Sequence, residues 1–323
     1  MSETPRSAEP AHPKSATPIP ETKKRVRGDL ARRLLTAAVL APAVIAVVVV
    51  GGLAYLATVI LFILLAQREF YGLIEDKGAQ PHVALGLGAS VVVALLVYRG
   101  SEYDAMLLMT VLLLVLMVAQ LRKQVIADAL SSISGTFFGV FYVGWLFSHA
   151  ILLRRFDSVM ASQYGDGSVV AMGLTPGTGI FLVLFTLTVV VWCDAGAYFV
   201  GRAYGRHPLA PRISPSKTLE GALGGLLGGA AAGLIVKSIF DLFWSPLAGV
   251  LPWHLVVPCA LVLSVVGIVG DLVESLLKRD AEVKDTGRLL PGMGGILDRI
   301  DAPLLALPVM YYMLLAYFYF TVR

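Results

Sequence analysis

Long apolar runs separated by short polar segments dominate the chain. A membrane-spanning helix needs about 17–25 consecutive, mostly apolar residues. Runs of this kind predict nine such helices, at about 31–50, 52–71, 82–98, 104–121, 133–153, 178–200, 218–240, 253–277 and 303–321. The pattern therefore predicts an all-α, polytopic integral membrane protein.

The composition agrees with this prediction. Hydrophobic residues make up 57% of the 323 residues and charged residues 15%, whereas an ordinary soluble domain carries about 25% charged residues. Residues 1–29 are polar, lack apolar periodicity and end in a basic cluster, so we expect a disordered basic tail. The runs within 30–153 contain few ionisable groups and predict scaffold helices, whereas polar residues concentrate in 178–323.

The distribution of positive charge predicts the orientation, because cytoplasmic loops of membrane proteins are enriched in Lys and Arg. With a cytoplasmic N-terminus, 21 of the 26 Lys and Arg residues fall on the cytoplasmic side. We therefore expect a multi-pass protein of the cell (inner) membrane. The formal net charge of +4 then reflects topology, and no nucleic-acid partner is expected.

Three carboxylates lie inside predicted spans of the second half: Asp194, Asp271 and Glu274. A carboxylate at membrane depth is costly unless it is paired, hydrated or metal-bound, so each one indicates a functional site. Asp271, Glu274, Ser275 and Lys278 follow i, i+3, i+4, i+7 spacing and share one helix face. That face runs from an acidic, buried end to a basic, cytoplasmic end.

This pattern favours a site for magnesium and phosphate. Magnesium takes oxygen ligands, typically one or two carboxylates together with substrate phosphates. We predict Asp271 and Asp298 as ligands from the eighth and ninth helices, with Asp194 and Glu274 as weaker candidates. Four basic residues are predicted to neutralise phosphate oxygens: Lys278, Arg279, Lys284 and Arg288. Gly294 and Gly295, in the turn "PGMGG", permit close approach of the backbone to a ligand.

Other interpretations stay open at this point. Lys278 and Arg279 also fit a membrane anchor, and "DRID" at 298–301 also fits a helix cap. Those interpretations leave the three intramembrane carboxylates unexplained. A transporter with acidic residues at the membrane midplane is another alternative, but here the polar residues cluster at one membrane face. A non-catalytic scaffold does not explain the polar loops.

Glycines recur every four residues in the seventh predicted helix, at Gly221, Gly225, Gly229 and Gly233. A stripe of small residues permits close helix packing. We predict an architectural face, packed against neighbouring helices or a second subunit.

The segment "SLLKRDAEVKDTGRLLPGMGGILDRID" (Ser275 to Asp301) resembles the signature of phosphatidate cytidylyltransferases, also called CDP-diacylglycerol synthases. That signature is S-x-x-K-R-x4-K-D-x-G-x2-L-P-G-H-G-G-x-x-D-R-x-D. The segment "DAGAYFVGRAYGRHPLAPRISPSKTLEG" (Asp194 to Gly221) is similar to the part of the family that precedes it. One position departs: Met293 stands where the family usually has histidine, and methionine cannot donate a proton to phosphate.

The resemblance implies transfer of CMP from CTP to phosphatidate, giving CDP-diacylglycerol and pyrophosphate. It implies that residues 30–323 form a transmembrane cytidylyltransferase domain whose active site faces the cytoplasm. Mg²⁺ is the implied cofactor, and a second cation such as K⁺ stays open. CTP, phosphatidate, the lipid bilayer and a second copy in a homodimer are the implied partners. A CTP-dependent polyprenol kinase or another lipid cytidylyltransferase is the alternative.

The resemblance also implies roles for individual residues. Asp271, Asp298, Lys278 and Lys284 are expected to be catalytic. Substrate binding is expected from Ser214, Ser216, Lys217, Thr218, Ser275, Arg279, Arg288, Gly294 and Gly295. Asp285, Arg299 and Asp301 are expected to hold the last loop in shape through ion pairs.

Overall fold

A computed structural model of the chain describes residues 38–123, 128–287, 289 and 294–321, and most of them are helical. Three predictions concern residues outside this part: the tail at 1–29, the phosphate-binding role of Arg288, and the effect of Met293. These three stay predictions.

The first half of the described chain forms eight helical elements. They are α1 (Ala38–Val50), α2 (Gly52–Asp76), α3 (Val83–Arg99), α4 (Glu102–Gln120), α5 (Ala129–Gly139), α6 (Leu146–Arg154), α7 (Phe156–Tyr164) and α8 (Asp166–Ala171). A π-helical segment, Val140–Trp145, joins α5 and α6 into one long span.

The second half contains the longest helices and one small hairpin. Its elements are α9 (Thr178–Tyr204), β1 (Pro208–Ala210), β2 (Ser214–Thr218), α10 (Leu219–Phe243), α11 (Ser245–Ala248), α12 (Trp253–Asp280) and α13 (Leu297–Thr321). The strands β1 and β2 pair antiparallel, with Pro208 opposite Thr218 and Ala210 opposite Ser214. This hairpin lies in a segment for which the apolar pattern predicts only a loop.

The predicted fold class is confirmed. Within the described part, seven helices are long and apolar enough to cross a membrane, and α1 and α3 are shorter apolar helices. Each of the nine predicted runs therefore corresponds to an apolar helix. The predicted start of the ninth helix, at residue 303, is six residues late, because α13 already begins at Leu297. Asp298 and Asp301 consequently lie in its first turns rather than in a preceding loop.

The glycine stripe of α10 packs within the chain. A Cβ on Gly225 would lie 2.9 Å from the carbonyl oxygen of Cys193 in α9, and one on Gly233 would lie 3.0 Å from Cβ of Ala260 in α12. On the facing side, a Cβ on Gly196 of α9 would lie 2.5 Å from the carbonyl oxygen of Gly224. The architectural prediction is thus confirmed, with neighbouring helices of the same chain as the packing partners.

Helix ends from both halves meet at one end of the structure. The Lys77 ammonium, just after α2, pairs with Asp280 at the end of α12. The hydroxyl of Thr218 caps α10 by accepting from the amide of Gly221 at 3.1 Å. The ends of α2, α9 and α12 therefore surround the starts of α10 and α13.

Candidate active site

A cavity of about 690 Å³ opens at this end, between α9, the hairpin, α10, α12 and the start of α13. Eight residues predicted to be catalytic, substrate-binding or metal-ligating line it: Asp194, Ser216, Lys217, Thr218, Asp271, Glu274, Lys278 and Asp298. The tertiary structure therefore brings together polar residues that are up to about a hundred positions apart in the chain.

Three carboxylates form the acidic centre of the cavity. Oxygens of Asp271 and Glu274, one turn apart on α12, and of Asp301 on α13 lie within 4.8 Å of one another. Like charges this close repel strongly in a partly buried site. The cluster therefore requires compensating positive charge.

Lys278 supplies part of that charge. Its ammonium lies 2.5 Å from Oε2 of Glu274 and 2.8 Å from Oδ1 of Asp298. The contact with Glu274 is an ion pair, and that with Asp298 is also a hydrogen bond. Since the Glu274 side chain is 1% exposed and that of Asp298 6%, Lys278 joins α12 to α13 through two buried charges.

Lys217 supplies a second cation from the hairpin. Its ammonium lies 2.6 Å from Oδ2 of Asp271. Both residues line the cavity and both side chains are partly exposed, although the ammonium nitrogen of Lys217 is buried.

Both carboxylate oxygens of Asp298 accept hydrogen bonds, although this residue was predicted to be a metal ligand. Its Oδ1 accepts from Lys278, and its Oδ2 accepts from the amides of Thr286 and Gly295 at 3.1 and 2.8 Å. The carboxylates that the structure groups for a cation are instead Asp271, Glu274 and Asp301. The ligand role of Asp298 stays a prediction.

Six predicted substrate-binding or catalytic residues do not line the cavity: Ser214, Ser275, Arg279, Lys284, Gly294 and Gly295. Lys284 is exposed. Nε of Arg279 donates to the carbonyl oxygen of Ile213, 3.4 Å away, and so ties α12 to the hairpin turn. Gly294 has a φ of +83°, a conformation that favours glycine. The close approach at this glycine is made by the carboxylate of Asp298 of the same chain.

Five polar residues that the sequence analysis did not predict to bind substrate or metal line the cavity. Asp285, Arg299 and Asp301, expected only to shape the loop, line the cavity. Tyr198 and Arg202 of α9 also line it, and Nη1 of Arg202 donates to the Tyr198 hydroxyl at 2.7 Å. Their i, i+4 spacing after Asp194 was the available signal, because it places them toward the same end of the helix.

Glu69 of α2 was also missed. It is buried and accepts from the amides of Ile296 and Leu297 at the start of α13. An ionisable residue inside a predicted span indicates function by default. The predicted span ended at 71, which placed Glu69 at the interface, whereas α2 continues to Asp76.

The residues present fit a hard divalent cation. Carboxylate oxygens are the ligands that Mg²⁺ prefers, and three converge here. In addition, Oε1 of Glu274 is buried and has no hydrogen-bond partner among the described residues. A buried polar atom without a partner is uncommon in proteins and often marks the place of an ion or water.

Comparison with known proteins gives the family. The model of the Cytidylyltransferase family matches residues 31–317. A phosphatidate cytidylyltransferase of Synechocystis sp. is 30% identical over 299 residues, which cover 87% of this chain and 95% of that protein.

Shorter matches have higher identity. A phosphatidate cytidylyltransferase of Bacillus subtilis is 40% identical over 175 residues, covering 54% of this chain and 55% of that protein. One of Brucella suis biovar 1 is 42% identical over 151 residues, covering 46% of this chain and 53% of that protein. Because the family model extends over nearly the whole transmembrane region, the chain belongs to the cytidylyltransferase family.

Proposed function

We propose that this protein transfers the cytidylyl group of CTP to phosphatidate, giving CDP-diacylglycerol and pyrophosphate. The observation that carries the proposal is the cavity itself, which combines three converging carboxylates with Lys217 and Lys278 at the end of a membrane-spanning bundle. Relatives named phosphatidate cytidylyltransferase support the choice of acceptor.

The cavity is suited to two substrates of different polarity. Large apolar side chains on the outer faces of α9 and α10, such as Phe199 and Leu223, are exposed where lipid would surround them. Ser216 and Lys217 come from the hairpin on the polar side of the same cavity. A lipid with a phosphate headgroup would thus approach from the bilayer, and CTP from the aqueous phase.

The reaction joins two phosphates. An oxygen of the lipid phosphate attacks the α-phosphorus of CTP, the bond from that phosphorus to the bridging oxygen breaks, and pyrophosphate leaves. The second pKa of a phosphomonoester is about 6, so at neutral pH the nucleophile is mostly ionised and needs no strong base. Catalysis then depends on positioning and on neutralising the phosphate oxygens.

The cationic side chains of this chain perform the neutralisation. Lys217 lines the cavity, and its buried ammonium has the carboxylate of Asp271 as its ion-pair partner among the described residues, so a phosphate bound in the cavity can take over that pairing. Arg202 and Arg299 add further positive charge to the lining. Lys278 is held by two buried carboxylates and keeps α12 and α13 together under the reacting groups.

Asp271 and Asp301 are the carboxylates that would hold Mg²⁺, with Glu274 behind them. The bound ion would supply Lewis-acid stabilisation of the phosphate oxygens. Asp298 would bind the ion only if its carboxylate lost hydrogen bonds that it now accepts.

We further propose that the cavity faces the cytoplasm, as the excess of Lys and Arg at this end supports. CTP would then be available directly. The expected homodimer and the inner-membrane location stay predictions.

The test is incorporation of label from [α-³²P]CTP into chloroform-extractable lipid by the purified protein. Dioleoyl phosphatidate is the acceptor, and each assay is run with Mg²⁺ and with a chelator. Mg²⁺-dependent labelled CDP-diacylglycerol is the expected product. Folded protein that labels a polyprenol from [γ-³²P]CTP, or that labels no lipid, would overturn the proposal.

A further inference from the structure

Glu69 connects the predicted scaffold half of the chain to the cavity. Its Oε1 accepts from the amide of Ile296 at 3.0 Å, and its Oε2 accepts from the amide of Leu297 at 2.8 Å. The side chain is buried, and its two partners follow it by 227 and 228 residues.

Helix α13 needs such an acceptor. The first amides of a helix have no partner within the helix, and Ile296 and Leu297 have no side-chain oxygen with which to cap it. A carboxylate at this position satisfies both amides and interacts favourably with the positive end of the helix dipole. Glu69 therefore caps α13 from a distant helix.

The same carboxylate is linked to the acidic centre. The hydroxyl of Thr286 lies 3.3 Å from Oε2 of Glu69 and 3.0 Å from Oδ2 of Asp298. Oδ1 of Asp298 in turn accepts from Lys278. A continuous set of polar contacts thus runs from α2, through the last loop, to the cation that joins α12 and α13.

Two glycines make room for Glu69. A Cβ on Gly287 would overlap its carboxylate, lying 2.7 Å from Cδ, and one on Gly295 would also lie 2.7 Å from Cδ. Gly287 has no positive φ, so backbone conformation alone does not require glycine there. Close contact with Glu69 is the physical reason that position 287 requires glycine.

We propose that Glu69 is a positioning residue of the transfer site, which fixes the last loop and the start of α13 so that Asp298, Lys278 and Asp301 keep their places. This inference rests on the proposed function for its kinetic readout. Glu69 does not line the cavity, so it acts on the substrates only through these residues.

The first experiment compares Glu69→Gln with Glu75→Gln, the same change on the same helix. Gln retains one acceptor oxygen but turns an NH₂ group toward a backbone amide, leaving that amide without a partner. Glu75 forms an exposed ion pair with Arg68 of the same helix. We expect Glu69→Gln to lower kcat about tenfold or more, with KM for CTP nearly unchanged, and Glu75→Gln to behave as wild type.

The second experiment is a double-mutant cycle with Gly287→Ala. If the added methyl group acts by displacing Glu69, then Glu69→Ala with Gly287→Ala is no slower than Glu69→Ala alone. If the fold-loss of kcat in the double variant equals the product of the losses in the two single variants, the methyl group does not act through Glu69 and the proposal is overturned.

The third experiment needs no activity. Hydrogen–deuterium exchange of the peptide containing Ile296 and Leu297 should be faster in Glu69→Gln than in wild type or Glu75→Gln. Unchanged exchange together with wild-type kcat would overturn the inference. A wild-type protein without lipid-labelling activity would instead contradict the proposed function, and the exchange result would still decide the role of Glu69.

Discussion

Nζ of Lys217 lies 2.6 Å from Oδ2 of Asp271, so an ion pair ties the hairpin after α9 to the cavity face of α12. The side chains of both residues are partly exposed, at 23% and 33%. The ammonium nitrogen of Lys217 is itself buried. Because both residues line the cavity, a phosphate bound there can replace the carboxylate as the partner of Lys217.

Replacement of this cation should weaken binding of a substrate phosphate. We expect Lys217→Met to raise KM for CTP or for phosphatidate about ten- to a hundredfold, because a hydrogen bond to a charged group contributes about 1.5–3 kcal/mol. Steady-state kinetics with each substrate varied in turn measures the effect. Lys77→Met, which removes an exposed pair outside the cavity, is the control. Wild-type KM values for both substrates would contradict the assigned role.

Asp271 is predicted to be required for turnover. Asp271→Asn keeps the size of the side chain but removes one charge from the carboxylate cluster, so we expect kcat to fall about a hundredfold or more. The matched control is Asp280→Asn, nine residues further along the same helix and exposed. Wild-type turnover by folded Asp271→Asn would remove the metal assignment.

The same assay distinguishes the two roles considered for Asp298. A titration with Mg²⁺ should show a changed half-saturation in Asp298→Asn if its carboxylate is a ligand. If the carboxylate only holds the loop through Thr286 and Gly295, kcat falls and the half-saturation stays that of wild type. The present geometry leads us to expect the second result.

Removal of Lys278 should destabilise the protein. Lys278→Met leaves the buried carboxylates of Glu274 and Asp298 without their cation, and breaking a buried pair by removing one partner costs about 3–5 kcal/mol. Thermal unfolding in one detergent measures the loss. The added change Glu274→Gln should recover part of it, because one unpaired charge is then gone. Lys284→Met, at an exposed position, should unfold as wild type does.

Helix packing gives a prediction independent of chemistry. Gly196→Ala places a methyl group 2.5 Å from the carbonyl oxygen of Gly224, so α9 and α10 must separate and thermal stability should fall. Gly72→Ala in α2 meets no atom within 4 Å and is the control. It should be neutral or stabilising by about 0.5–1 kcal/mol, since alanine is the better helix former. Equal unfolding temperatures for the two variants would contradict the packing described.

The orientation of the cavity can be measured in cells. We expect Tyr103→Cys, exposed at the start of α4, to react with a membrane-impermeant maleimide in intact cells. Lys284→Cys, exposed in the last loop, should react only after permeabilisation. The reverse pattern would place the cavity on the outer face.

The apolar runs were enough to predict the helices, because backbone groups in a bilayer must be satisfied within a helix and the required length can be counted. The intramembrane carboxylates Asp194, Asp271 and Glu274 were identified for a similar reason: an ionisable group at that depth requires a partner. Helical spacing also placed Asp271, Glu274 and Lys278 on one face, and the ion pair between Glu274 and Lys278 agrees with it.

Residues distant in the chain could be assigned only from the tertiary structure. Whether Asp298 or Asp301 faces Asp271 depends on where α13 begins and how it is rotated, which the apolar pattern does not specify to within one turn. The contact of Glu69 with Ile296 and Leu297 depends on the packing of α2 beside α13. The sequence by itself determined the helices, the buried charges and the family resemblance. The tertiary structure decided which charges neutralise one another, because electrostatic interactions depend on separations of a few ångströms.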